Sequence, residues 1–233
     1  MKTLVLLAGG SGARMGDAIP DKTLAPLAGR PVITHSAHAF QASGRVDHCI
    51  VVYRDAEQLE QLQTALASLE MKTEFVQGGP TRQASVYNAL QAVSDSTSHV
   101  FIHDAARPLI SPAAIQQVDT ALEKHEAVVL ARPVTDTIKR IPASGEIEKT
   151  SLEDLDRDRL WAMETPQAFA FPAILEAYSK AFEGGRSFTD DAAVASQWGM
   201  PLTLVSNPDP NPKVTTPQDL AWIEYLIAKR PRD

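Results

Sequence analysis

From Thr3 to Ala131 short apolar runs alternate with longer segments of helical period, and this alternation constrains the fold more than any other feature. Thr3–Ala8, His48–Tyr53, Thr73–Val76, Ser98–His103 and Ala127–Ala131 read as strands. Between them Val32–Ala42, Asp55–Leu69, Thr81–Val93 and a segment from Ser111-Pro112 to Lys124 read as helices. Leucines at 59, 62, 66 and 69 share one helical face, with Asp55 placed to cap it. Near-continuous apolar strands joined by helices form a mainly parallel sheet with helices on both faces. The expected class is α/β and Rossmann-like, in one domain over residues 1–233. With 44% hydrophobic and 22% charged residues the chain has the balance of a packed domain, which excludes disorder, collagen and coiled coil.

The rhythm breaks at about 134–155. Asp136–Ile141 and Glu146–Thr150 are short alternating strands around the turn Pro142-Ala143-Ser144-Gly145, and no helix follows to cover them. A projecting β-hairpin arm is expected there. Phe171–Phe182 and Asp190–Trp198 then read as helices, Leu202–Val205 as a strand, and Thr216-Pro217 opens a last helix ending near Lys229.

Charge and cysteine usage narrow the function classes. The formal charge of −7 repels nucleic-acid backbone and anionic lipid, so neither is expected as a partner. The single Cys49 excludes an internal disulfide and reads as a core residue within Cys49-Ile50-Val51-Val52. The N-terminal apolar stretch is short and runs into glycines, so it reads as a first strand rather than a signal peptide. No run suits a membrane helix, and a cytoplasmic location is expected.

Chemistry concentrates just past strand ends, where open α/β sheets bind ligands. Leu7-Ala8-Gly9-Gly10-Ser11-Gly12-Ala13-Arg14-Met15-Gly16 lacks the Gly-Lys-Ser/Thr of a P-loop, and Met15 stands where a dinucleotide fingerprint starting at Gly10 needs glycine. What remains is a backbone cradle with two cations, Arg14 and Lys22, suited to a triphosphate. In His103-Asp104-Ala105-Ala106-Arg107-Pro108, Asp104 can hold a hard divalent cation against phosphate, while His103 reads as a packing residue. Gly78-Gly79-Pro80-Thr81-Arg82-Gln83-Ala84-Ser85 sets glycines before a helix N-terminus, and Lys213 precedes a helix cap. Neither a Ser-His-Asp nor a Cys-His pattern stands at convincing spacing. Phosphoryl chemistry needs neither, because a phosphate monoester with a second pKa of about 6 is already a nucleophile at neutral pH.

These motifs, with Asp136-Thr137-Ile138-Lys139, Thr165-Pro166-Gln167, Thr189-Asp190-Asp191 and Lys213-Val214-Thr215, resemble the 2-C-methyl-D-erythritol 4-phosphate cytidylyltransferase family from Thr3 to about Leu226. The resemblance implies a nucleotide-diphospho-sugar transferase type of fold and attack of a polyol 4-phosphate on the α-phosphorus of CTP, with Mg²⁺ on the triphosphate. It implies Arg14 and Lys22 as catalytic cations, and Ala8, Gly9, Gly10, Gly12, Gly78, Gly79, Arg82 and Ser85 as the nucleotide site. Asp104, Arg107, Thr137, Arg157 and Lys213 hold the acceptor by the same resemblance, with Asp104 also near the metal. The arm resembles the family's dimerisation arm, which implies a homodimer. One departure stands out: the family's Pro-Lys-Gln is here Pro20-Asp21-Lys22-Thr23, one residue longer and similar to the Asp-Lys of molybdopterin guanylyltransferases. A ribitol-5-phosphate cytidylyltransferase, a non-catalytic nucleotide-binding module and a dinucleotide oxidoreductase stay open as alternatives.

Overall fold

The computed structural model describes residues 1–10, 12, 15–16, 19–142 and 151–229. Arg14, the turn residues 143–145 and the expected strand Glu146–Thr150 lie outside the described residues.

In chain order the elements are β1 (Lys2–Leu7), β2 (Pro26–Leu27), β3 (Arg30–Pro31), α1 (Val32–Ser43), β4 (His48–Tyr53), α2 (Ala56–Ala65), β5 (Lys72–Gln77), α3 (Arg82–Ala92), β6 (His99–Asp104), α4 (Pro112–Leu122) and β7 (Ala127–Pro133). There follow β8 (Lys139–Arg140), β9 (Glu153–Asp154), a 3₁₀ turn (Arg157–Arg159), β10 (Trp161–Ala170), α5 (Phe171–Glu183), α6 (Asp191–Gln197), β11 (Leu202–Ser206) and α7 (Pro217–Lys229). Seven strands form one sheet in the order β11-β7-β10-β6-β1-β4-β5. All neighbours are parallel except β10, which runs antiparallel between β6 and β7. The expected mostly parallel sheet with helices on both faces is therefore present.

Strand alternation explains the two faces. Leu4, Leu6, Cys49, Val51 and Phe101 point to one side and pack with Phe40 of α1, Leu62 of α2 and Ile115 of α4. Val5, Ile50, Val52, Val100 and Ile102 point to the other and meet Val86 of α3, Ile174 and Tyr178 of α5 and Val194 of α6. Cys49 is a buried core residue, as expected. A third cluster, including Met15, Leu27, Val32, Ala106, Val214 and Ile223, docks α7 against the loops beside the functional face. Capping sets several helix starts: Asp55, Thr81, Ser111 and Asp190 each accept a backbone N–H from the first turn ahead.

Two readings need correction. β10 has no counterpart among the expected strands, because Glu164-Thr165-Pro166-Gln167 puts a proline and polar residues in what is a central strand. The ladder to β7 shifts register between Met163 and Gln167, which accommodates that proline. In the arm, Asp136–Ile141 contributes only Lys139–Arg140 to a ladder, and the partner is Glu153–Asp154. Among the described residues the pairing is two residues per strand, held by the ion pairs Lys139–Asp154 and Arg140–Glu153.

Candidate active site

A cleft of about 480 Å³ opens at the C-terminal ends of β1, β4, β5 and β6. One wall is Ala8–Gly10, running on from β1. The Ala8 N–H donates to the Val52 carbonyl at 2.9 Å, and a Cβ on Gly9 would stand 3.2 Å from the Tyr53 backbone, so glycine lets this loop lie against the end of β4. The opposite wall is the turn from β5 into α3. The Gly79 N–H donates to Ser85 Oγ at 3.1 Å, and Ser85 Oγ returns a bond to the Gly79 carbonyl at 3.3 Å. A Cβ on Gly79 would fall 2.4 Å from that of Ala84, which only glycine avoids. Of the other expected nucleotide residues, Gly12 takes a left-handed φ of +63° below the loop, and Gly78 packs under Ser85 and Val52.

Lys22, Arg54, Arg82 and Lys213 line the cleft with one carboxylate, Asp104. Lys213 Nζ donates to Asp104 Oδ2 at 2.7 Å, Arg82 Nε lies 3.4 Å from Oδ1, and Arg107 Nε lies 3.9 Å from Oδ2. Burial alone pushes the Asp104 carboxyl up, but Arg82, Lys213 and Arg107 outweigh it and hold the group well below the usual carboxylate range. Arg82 is itself locked from behind. It forms a two-pronged pair with Asp191 at 2.9 and 2.7 Å, Asp191 is fully buried, and Tyr178 Oη donates to Asp191 at 2.5 Å. Burial works against the Arg82 charge, and the Asp191 carboxylate more than restores it.

His103 takes no part in the cleft. It is buried, edge-on to Phe40 at 5.1 Å, with its nitrogens near Thr165 Oγ1 (3.0 Å) and the Arg107 carbonyl (3.3 Å). Burial lowers its pKa to about 3, so it is a neutral packing residue, as its sequence context implied.

The remaining expected acceptor residues separate into two groups. Arg107 lines an adjoining cleft of about 560 Å³, which Lys213 also borders, and donates to the Asn211 carbonyl at 2.8 Å. Burial depresses the Arg107 pKa. Thr137 and Arg157 are exposed and line neither cleft, and Arg157 donates to the Thr135 carbonyl at 3.3 Å. Among the described residues they are not brought to the clefts that Asp104 and Arg107 line.

Three contributors escaped the sequence reading. Arg54 follows β4, and its place past a strand end was the available signal. Thr165 accepts the Asp104 backbone N–H at 3.1 Å, and Asp191 anchors Arg82; both sit in motifs quoted above, but only their contacts give them roles. Among the described residues no cluster of three metal-ligating side chains occurs. Asp104 alone suits a cation carried mainly by phosphate oxygens.

Known proteins match the chain along nearly its whole length. The family model described as IspD, 2-C-methyl-D-erythritol 4-phosphate cytidylyltransferase, matches residues 2–229. The protein of that name from Parasynechococcus marenigrum is 37% identical over 230 residues, covering 99% of each chain. The crystal structure of 4-diphosphocytidyl-2C-methyl-D-erythritol synthase from Anaerococcus prevotii matches the fold with a TM-score of 0.85 at 24% identity, over 98% of this chain and 99% of that one. The Thermus thermophilus 2-C-methyl-D-erythritol 4-phosphate cytidylyltransferase structure matches with a TM-score of 0.77 at 28% identity, over 96% and 98%. Matched by that family model over residues 2–229 and by a relative 37% identical over 99% of its length, this chain belongs to the 2-C-methyl-D-erythritol 4-phosphate cytidylyltransferase family.

Proposed function

We propose that this cleft carries out cytidylyl transfer by holding two phosphates in line and neutralising the charge that grows between them. The chain is a nucleotidyltransferase that uses CTP and 2-C-methyl-D-erythritol 4-phosphate. An oxygen of the acceptor phosphate bonds to the α-phosphorus of CTP, the bond to the β-phosphate oxygen breaks, and pyrophosphate leaves with that electron pair. The product is 4-diphosphocytidyl-2-C-methyl-D-erythritol, an isoprenoid precursor. The observation that carries the reading is the convergence of Lys22, Arg82, Lys213 and Asp104 on one cleft walled by Ala8–Gly10 and Gly79–Ser85.

In this reading the backbone groups of the two turns bind the cytosine and ribose and exclude a purine by size. Lys22 and Arg14 stabilise the five-coordinate phosphorus, where charge-directed donors contribute most. Lys213, Asp104 and Arg107 hold the acceptor. Mg²⁺ on the triphosphate would supply charge neutralisation and leaving-group orientation, and Asp104 would be its protein ligand. Asp104 is already ionised for this, since its neighbours favour the charged form. The exposed Ile138, Ile141 and Leu152 favour pairing of the arm with a second copy, a homodimer in which Thr137 and Arg157 serve the partner's acceptor site.

The test is pyrophosphate release with CTP, GTP and ATP against 2-C-methyl-D-erythritol 4-phosphate and ribitol 5-phosphate. Turnover with CTP and the methylerythritol phosphate only is expected. Comparable turnover with GTP points to the molybdopterin-type enzyme that Asp21-Lys22 resembles, and preference for ribitol 5-phosphate reassigns the acceptor.

A further inference from the structure

We propose that Asp21 is a positioning residue for Lys22, tying the loop that carries this cation to the end of β1 and to α2. The inference rests on the reading of Lys22 given above. Asp21 is the residue by which this chain departs from Pro-Lys-Gln, and it is 8% exposed although it sits on a loop. Its two oxygens face two ways. Oδ1 accepts the Thr23 N–H at 2.8 Å and the Thr23 hydroxyl at 2.7 Å. Oδ2 accepts an N–H of Gln58 Nε2 at 2.6 Å and lies 3.4 Å from Arg54 Nη1.

Gln58 makes this more than a local turn. It is 1% exposed, and its Nε2 also donates to the Ala8 carbonyl at 3.0 Å, at the foot of the nucleotide loop. Its Oε1 accepts the Arg54 N–H at 2.6 Å, and its own N–H is capped by Asp55 at 2.9 Å. One amide thus joins the ends of β1 and β4, the start of α2 and the Lys22 loop. On the other side of Lys22, Thr23 is 1% exposed and its carbonyl accepts the Ile33 N–H of α1 at 2.9 Å. Lys22 is bracketed by two anchored neighbours, and consecutive Cα atoms lie about 3.8 Å apart, so anchoring them fixes where its side chain starts. From there its Cε comes within 4.0 Å of where a Gly10 Cβ would be.

The chemistry asks for a carboxylate rather than an amide. Both oxygens of an ionised Asp accept, whereas Asn offers one acceptor and turns an NH₂ toward donors on the other side. Asp21→Asn keeps the shape but gives up either the Thr23 bonds or the Gln58 and Arg54 bonds. The loop then samples positions in which Lys22 misses the reacting phosphate.

The test is a double-mutant cycle in the full chain, with wild type, Asp21→Asn, Lys22→Ala and the double variant assayed by pyrophosphate release. Misplacement of a transition-state group by about 1 Å costs up to about 100-fold, so Asp21→Asn is expected to lower kcat by about 10–100-fold. KM for CTP should move by less than about threefold, since ground-state binding is spared. In the Lys22→Ala background Asp21→Asn should add nothing, because the residue it positions is gone. An unchanged kcat in Asp21→Asn, or losses that multiply in the double variant, overturns the proposal. Lys22→Ala with wild-type kcat instead overturns the reading of Lys22, and the proposal with it, and that single arm tells the two failures apart. If Asp21→Asn melts well below wild type, Gln58→Leu replaces it in the same cycle, read on kcat alone because Gln58 also holds the Ala8 carbonyl of the nucleotide loop: a fall of about 10–100-fold that adds nothing in the Lys22→Ala background is expected, and any other result overturns the proposal.

Discussion

At the residue scale the proposed mechanism rests on charge placement. If Lys22 and Arg14 meet charge that exists only in the transition state, Lys22→Ala and Arg14→Ala should each lower kcat by roughly 10²–10³, about 2.7–4 kcal/mol, with KM nearly constant. Steady-state kinetics on the purified variants checks this, and a rise in KM alone contradicts it. Arg82 differs, because removing it strands the fully buried Asp191 carboxylate. Arg82→Leu should therefore cost about 3–5 kcal/mol of folding stability, read from urea unfolding. Lys22 was legible from its motif past a strand end, and Arg82 and Lys213 through the family resemblance. The Asp191–Tyr178 support behind Arg82 was not, since it joins α3, α5 and α6 across long sequence separations that no local pattern encodes.

At the element scale the strands and caps carry the fold. β1, β4, β6 and β7 were readable as apolar runs and α2 and α4 as capped helical segments, because each follows one pattern from end to end. β10 obeys none. Glu164, Thr165 and Gln167 are buried polar residues whose partners, Asn207, His103 and the Ala192 N–H, come from other elements. Such a strand is specified by tertiary hydrogen bonds rather than by alternation. The turn into α3 gives a sharp test at this scale. A Cβ at position 79 must displace Ala84 and the first turn of α3. Gly79→Ala should cost about 1–3 kcal/mol in urea unfolding. It should also raise KM for CTP roughly tenfold, because the wall of the nucleotide site moves.

At the scale of the whole molecule the proposed acceptor roles of Thr137 and Arg157 call for two copies of the chain. Thr137 and Arg157 line neither cleft, so the proposed acceptor role is assigned to the site of a second copy. Mixing inactive Thr137→Ala chains with inactive Arg14→Ala chains should restore activity at one site in each mixed dimer, measured after confirmed subunit exchange. No recovery removes Thr137 from the site. The central claim, that the enzyme neutralises charge and supplies no acid or base, meets its most direct test in the pH dependence of kcat/KM for the acceptor at saturating CTP. His103, with its pKa lowered to about 3, stays neutral above that pH, and Asp104, held well below the usual range, stays ionised. Neither titrates between about pH 5 and 9, so the acceptor phosphate alone should set the profile. A single rising limb with an apparent pKa of about 6, flat to about pH 9, is the expected result. A bell-shaped curve, with a second limb inside that range that disappears in a cleft variant, would contradict the account.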